Sequence, residues 1–197
     1  MHGRPIRDDD VGFITRIPFD FDPARPVGLS STRSELARAF NLRGSMTVFL
    51  HSLKWPVPLR GMSGNGFHLQ YRCKLPNNDE TRQMVKSIYE WLHLIYNDAQ
   101  VEFDRSVKNP GRIFRLYGTV NRKGESTEDR PHRMSKCHIP DEWRQVTAQI
   151  VERTANAVEK AIQAKRPKKQ TETRPCSHRR GNSRGDYASL DAPRGMV

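Results

Sequence analysis

An α+β fold is predicted by three features of this 197-residue chain. Some segments alternate with the period of two that marks a half-buried strand, and others carry apolar residues at helical spacing. After Ala164 the composition changes abruptly to one that cannot bury a core. The chain therefore divides into a polar opening over residues 1–12, a folded domain over 13–164 and a basic tail over 165–197. A length of 197 residues suits one domain with a tail rather than two domains.

The first element lies in VGFITRIPFDFDP, where Phe13, Thr15, Ile17, Phe19 and Phe21 alternate with other residues until Pro23 stops a strand. In SSTRSELARAF, Ser30, Ser31 or Thr32 can cap a helix that carries Leu36, Ala39 and Phe40 on one face. MTVFLHSL fits a strand or a continuation of that helix, because periodicity does not separate short apolar runs. FHLQYRCKL, after Gly66, alternates as a strand. NNDETRQMVKSIYEWLHLIYND reads as a capped amphipathic helix with Met84, Ile88, Trp91, Leu92 and Ile95 on its apolar face. AQVEFD and GRIFRLYGTV are rich in strand formers and predict two more strands. A last helix is expected from Asp141 to Lys165, with Trp143, Val146, Ile150, Ala157, Val158 and Ile162 toward the core. The sheet is expected to be mixed or antiparallel, with flanking helices. The tail is rich in Arg, Lys, Pro, Gly and Ser and is expected to be disordered.

Charge narrows the partners. Lys and Arg number 34 against 22 Asp and Glu, a net charge of +12, which favours a polyanion, nucleic acid first. The tail holds nine of the basic residues against three acidic ones, half of the excess. No apolar run of about 18 residues and no lipidation motif points to a membrane. The N-terminus lacks the apolar core of a signal peptide, so a cytoplasmic protein is expected. Cys73, Cys137 and Cys176 are odd in number and widely spaced, which predicts free thiols. Cys137 with His138 and Cys176 with His178 offer zinc ligands on paper, but without a CxxC pair unrelated residues are the simpler reading.

Chemistry concentrates in a few positions. Asp20 and Asp22 lie two apart in a strand and therefore share a face. Adjacent like charges are costly, and a divalent cation with hard oxygen ligands relieves that cost; a solvated strand end explains the pair equally well. Asp104, at the end of VEFD, is the best-placed third carboxylate for a metal site of the kind that serves phosphoryl chemistry. In SGNGFHLQYR, glycines stand beside His68, which fits either a tight turn or close approach to a ligand. Arg112, Arg115, Arg122, Lys123, Arg130 and Arg133 crowd the segment downstream, as a solvated face or a phosphate cradle.

FDFDPARPVGLSST, SGNGFHLQYRCKLPN and VEFDRSVKNPGRIFRLYGTVNRKGESTEDRPHR, in that order, resemble the archaeo-eukaryotic primase superfamily. The nearest likeness is to the primase-polymerases of phages, plasmids and other mobile elements, over roughly residues 13–138. The resemblance implies an RRM-like catalytic core and DNA-templated nucleotidyl transfer for primer synthesis. It places Asp20, Asp22 and Asp104 on Mg²⁺ or Mn²⁺, and Ser63, Gly64, Gly66 and His68 at the phosphates of an incoming nucleoside triphosphate, with Arg112 and Lys123 on nucleotide or template phosphates. Single-stranded DNA is the implied template.

In that family a substantial module precedes the paired-acid strand, whereas here only 19 residues precede Asp20. The chain is thus expected to lack that module, to expose an apolar patch on the strands it would cover, and to work with a helicase or a chain that supplies the missing half. Two other readings compete: a non-catalytic nucleic-acid-binding remnant that holds DNA by phosphate contacts alone, and a metal-dependent nuclease that shares the carboxylates.

Overall fold

The computed structural model describes residues 4–96 and 99–165. Apart from Lys165, the predicted tail lies outside them, as do Cys176 and His178. Phe13–Pro23 forms β1, Arg33–Ser52 α1, Leu59–Met62 β2, Phe67–Pro76 β3, Asp79–Tyr96 α2 and Val101–Phe103 β4. Val120–Asn121, Arg133–Met134 and Lys136–His138 form β5, β6 and β7, and Ala148–Lys165 forms α3. The architecture is α+β. The main sheet runs β4-β1-β3-β2-β7, every neighbouring pair antiparallel, while β5 and β6 pair separately.

Burial separates the two faces of this sheet. Ile17, Phe19 and Phe21 of β1, Leu69, Tyr71 and Cys73 of β3, and Val101 and Phe103 of β4 pack with Met46 and Leu50 of α1, Ile88, Tyr89 and Leu92 of α2, and Val151 and Ala155 of α3. Phe19 sits at the centre, with the rings of Trp55, Tyr71, Tyr89 and Phe103 within 6.1 Å, centroid to centroid. Burial of each such aromatic contributes roughly 1.5–3 kcal/mol. The buried polar groups there are partnered: Trp55 Nε1 donates to Thr154 Oγ1 at 3.0 Å, and the Tyr89 hydroxyl donates to the Pro18 carbonyl. The opposite face carries Asp20, Asp22, His68 and Gln70.

The first strand departs from simple alternation. Ile14 pairs with Leu75 and Arg16 with Arg72, so the register slips by one residue between them. Such an irregularity reverses the phase of the side chains. Ile14 is consequently buried three residues before Ile17, while Phe13 and Thr15 are exposed. The expected apolar face beginning at Phe13 is thereby corrected, and the Phe13 ring instead lies under the Lys74 ammonium at 5.6 Å.

The α1 helix begins after Thr32, whose hydroxyl accepts from the Glu35 amide while the Glu35 carboxylate accepts from the Thr32 amide. That reciprocal box satisfies two otherwise orphaned amides. MTVFLHSL continues the helix. The α2 helix starts similarly, with Asn78 Oδ1 accepting from Thr81 N at 2.9 Å.

Two further expectations are corrected. GRIFRLYGTV is not a strand: residues 111–119 form a loop, and only Val120–Asn121 pairs, with β6. The Phe114 and Tyr117 rings of this loop turn onto the open face, 6.0 and 5.9 Å from the His68 ring. The final helix begins at Ala148 rather than Asp141. Val146 forms a parallel bridge with Cys73, its amide bonded to the Arg72 carbonyl at 2.8 Å, so the chain is extended there. Trp143 lies under the Arg16 guanidinium, 4.3 Å from the ring centroid. The open face of the strands is polar, contrary to the expected apolar patch; large exposed apolar side chains near it are Ile113 and Leu116, on the loop. Among the described residues, no helix is long and apolar enough to cross a membrane.

Candidate active site

The carboxylates are gathered by strand register. Asp20 and Asp22 project from β1 to the open face, and Asp20 pairs directly with His68 across β3. On the other side, Phe21 pairs with Phe103 and Asp22 with Glu102. One step further, the Asp104 amide donates to the Asp20 carbonyl at 3.2 Å. The three acids anticipated from sequence, Asp20, Asp22 and Asp104, therefore lie close enough that the charges of the other two act on Asp20. Glu102 opposes Asp22 as a fourth acid that the sequence reading passed over, although VEFD repeats the two-residue spacing of FDFD.

Their electrostatic situations differ. Burial, reinforced by the charges of Asp22 and Asp104, pushes the Asp20 carboxyl up to about 7, against the opposing pull of Arg112 and the Phe21 amide. Asp22 is held by Arg25, whose two terminal nitrogens donate to its two oxygens at 2.7 and 2.9 Å. Asp104 accepts from the Ser106 amide at 2.7 Å and its hydroxyl at 2.8 Å, with Arg112 3.7 Å away. Asp20 is thus the carboxylate short of a positive neighbour. Among the described residues no group of three or more His, Cys, Asp or Glu side chains stands ready to hold a metal ion. The donor set is nevertheless one of hard oxygens, and a carboxylate with two bonds retains lone pairs. By donor type the three acids suit a divalent cation, and Asp20 is the one such an ion would relieve, but as placed they do not close on a single ion.

His68 stands between the acids and the loop. Its Nε2 lies 3.4 Å from Asp20 Oδ1, and its Nδ1 lies 2.8 Å from the Tyr117 hydroxyl. Burial depresses the imidazole to about 4, the Asp22 charge opposing and Arg115 adding to the shift. The ring is therefore neutral at pH 7. Gln70 Nε2 donates to the same Tyr117 hydroxyl at 3.3 Å. Tyr117 and Gln70 carried no motif signal, since a loop tyrosine and a strand glutamine are ordinary in both settings.

The glycine-rich turn is held by its own serine. Ser63 Oγ accepts from the Gly66 and Asn65 amides at 2.9 and 3.2 Å. Gly64 has φ +98°, and a Cβ there would also meet Asn121 and the Arg133 carbonyl. A Cβ on Gly66 would lie 2.6 Å from the Phe21 carbonyl and 2.9 Å from Asp22 Oδ1. Both glycines thus serve close approach of protein to protein, which lets the turn abut the acid strand. Between them Asn65 is buried; its carbonyl oxygen Oδ1 accepts from the Ser31 amide at 2.8 Å, while its Nδ2 has no partner.

A cavity of about 240 Å³ joins these parts, lined by Asp20, Asp22, Asn65 and His68 with Arg112, Arg115 and Lys123. Arg115 Nε, like Asn65 Nδ2, is a buried donor without a partner. Of the basic run, Arg130 is committed to Glu35, at 2.9 and 3.0 Å, and Arg133 to the Ser31 carbonyl at 2.6 Å, so both brace the scaffold. Arg122 is exposed outside the cavity lining. Cys73 is buried and Cys137 exposed, both as free thiols. No known protein family, curated protein or solved structure matches this chain.

Proposed function

We propose that this chain is a DNA primase-polymerase domain that transfers nucleotides onto a primer on a single-stranded DNA template. The observation that carries the reading is that Asp20 and Asp22 line one cavity with His68 and with Arg112, Arg115 and Lys123, while Asp104 lies beside it, its amide bonded to the Asp20 carbonyl. The β-α-β-β-α-β order, with β4-β1-β3-β2 in the sheet, supports an RRM-like core of the kind the sequence resembles.

Mg²⁺ or Mn²⁺ held by Asp20, Asp22 and Asp104 would supply Lewis acidity, lowering the pKa of an attacking 3′-hydroxyl and offsetting charge at the transferred phosphate. The chain's own residues do the rest. Arg112, Arg115 and Lys123 hold the phosphates of a nucleoside triphosphate, and the unpartnered Nδ2 of Asn65 and Nε of Arg115 give donors whose bonds are otherwise unmade. His68, neutral, donates one N–H to a phosphate oxygen rather than a full charge. Arg25 fixes the orientation of Asp22.

Incorporation of labelled nucleotide on a single-stranded template with Mn²⁺ tests the reading, with Asp20→Ala/Asp22→Ala as the control. Extension that vanishes in the double variant supports it. Shortened DNA would instead make the site a nuclease. One observation favours the non-catalytic reading: Arg25 occupies both oxygens of Asp22. Binding of single-stranded DNA that is unchanged by EDTA and lost steeply with salt, without extension, would select it.

A further inference from the structure

We infer that Tyr117 is a positioning residue for His68: its hydroxyl, fixed by Gln70 in the space left by Gly61, donates to Nδ1 and holds the ring with Nε2–H facing Asp20 and the cavity. The catalytic consequence rests on the function proposed above, but the geometry does not. Gln70 Nε2 donates to one lone pair of the phenol oxygen at 3.3 Å, and with that bond made the phenolic proton is placed to bond His68 Nδ1, 2.8 Å away. A neutral imidazole bears one N–H, and an Nδ1 that accepts places it on Nε2. On the far side of the ring, Nε2 lies 3.4 Å from Asp20 Oδ1, in the cavity that both residues line.

The loop brings the hydroxyl there because β2 has no side chain in the way. Gly61 pairs with His68 across β2 and β3, and a Cβ at Gly61 would collide with the Tyr117 hydroxyl. Phe114 packs edge-on to the same imidazole, with centroids 6.0 Å apart and an interplanar angle of 85°. The ring is thereby confined on its face as well as at Nδ1. A histidine that must present one N–H to a ligand gains from such outer partners, which remove alternative tautomers and rotamers before the ligand arrives.

The test is ¹⁵N NMR of the histidine rings in the full unliganded chain near neutral pH, comparing wild type, Tyr117→Phe and Gly61→Ala. The wild type should show His68 with Nε2 protonated and Nδ1 shifted as a hydrogen-bond acceptor. Tyr117→Phe keeps the ring and should move the Nδ1 resonance toward the value of a free acceptor; Gly61→Ala should do the same by displacing the hydroxyl. A protonated Nδ1 in the wild type, or an Nδ1 resonance that Tyr117→Phe leaves in place, overturns the inference. Binding of a nucleoside triphosphate is the second measurement. Tyr117→Phe should weaken it by about three- to tenfold, the range for one hydrogen bond, and should add nothing in a His68→Ala background. Equal losses in both backgrounds would overturn the action through His68. A wild type with the stated nitrogen shifts that binds no nucleotide would sink the functional reading and leave the positioning role intact.

Discussion

Gly66 shows how a single missing side chain can shape the site. The turn before β3 passes so close to β1 that an added Cβ would press on the Phe21 carbonyl, on Asp22 Oδ1 and, at 3.3 Å, on Asp22 Cα. None of these is the far end of a flexible chain except the carboxylate, so the strands themselves must part. Gly66→Ala is expected to destabilise the fold by about 1–3 kcal/mol, the usual range for overpacking, measured by urea unfolding. It should also turn Asp22 away from Arg25. His68→Ala should behave differently, lowering nucleotide affinity by about 1 kcal/mol, because a neutral imidazole offers one ordinary hydrogen bond. A variant with unaltered nucleotide affinity would remove His68 from the phosphate site. The pairing of Asp20 with Asp22 was legible because strand period puts alternate residues on one face. The placement of His68 opposite Asp20 was not, since it depends on β1–β3 register, which a slip near Thr15 alters.

At the scale of elements, the start of α1 joins the loop to the sheet. Glu35 closes the capping box and also receives both terminal nitrogens of Arg130, which in turn donates to the Ser30 carbonyl at 2.6 Å. Ser30 Oγ donates to the Lys123 carbonyl at 3.0 Å, and Ser31 bonds Asn65 twice, at 2.6 and 2.8 Å. Burial would raise the Glu35 carboxyl, yet Arg130 and Thr32 together hold it below its usual range. Thr32→Ala should therefore cost about 1 kcal/mol, the worth of a cap, whereas Glu35→Ala should cost about 2–4 kcal/mol by leaving Arg130 unpaired in a part-buried position. Urea titrations of the two variants check the ranking. If they prove equal, the Glu35–Arg130 pair contributes nothing to stability. The cap was readable in SSTRSELARAF, because capping is local chemistry. Arg130 lies 95 residues from Glu35, so within a run of similar basic residues nothing marked it as a brace and Arg112 as a wall of the cavity.

Across the whole molecule, the two buried titrating groups of the site pull stability in opposite directions. Asp20 is raised from 3.8 to about 7, so between those values the folded state holds a proton that the unfolded chain has lost. By linkage, that term makes stability fall as pH rises from about 4 to 7. His68 is lowered from 6.5 to about 4, so over that interval the unfolded chain holds the proton and stability rises with pH. The two terms oppose each other between pH 4 and 6.5. Single substitutions should uncover each one. Asp20→Asn should give stability that climbs with pH across this window, and His68→Gln stability that declines, each by at most about 1.4 kcal/mol per pH unit. Urea unfolding at half-unit steps of pH in EDTA measures both slopes, and slopes of the same sign would refute the assignment. Divalent cations supply the second arm. An ion that Asp20 binds displaces its proton, so Mn²⁺ should stabilise the wild type more at pH 8 than at pH 5, and Asp20→Asn should reduce that increment. An equal increment in the variant would mean that the ion binds elsewhere, and the carboxylate cluster would then serve only to orient Arg25 and Arg112.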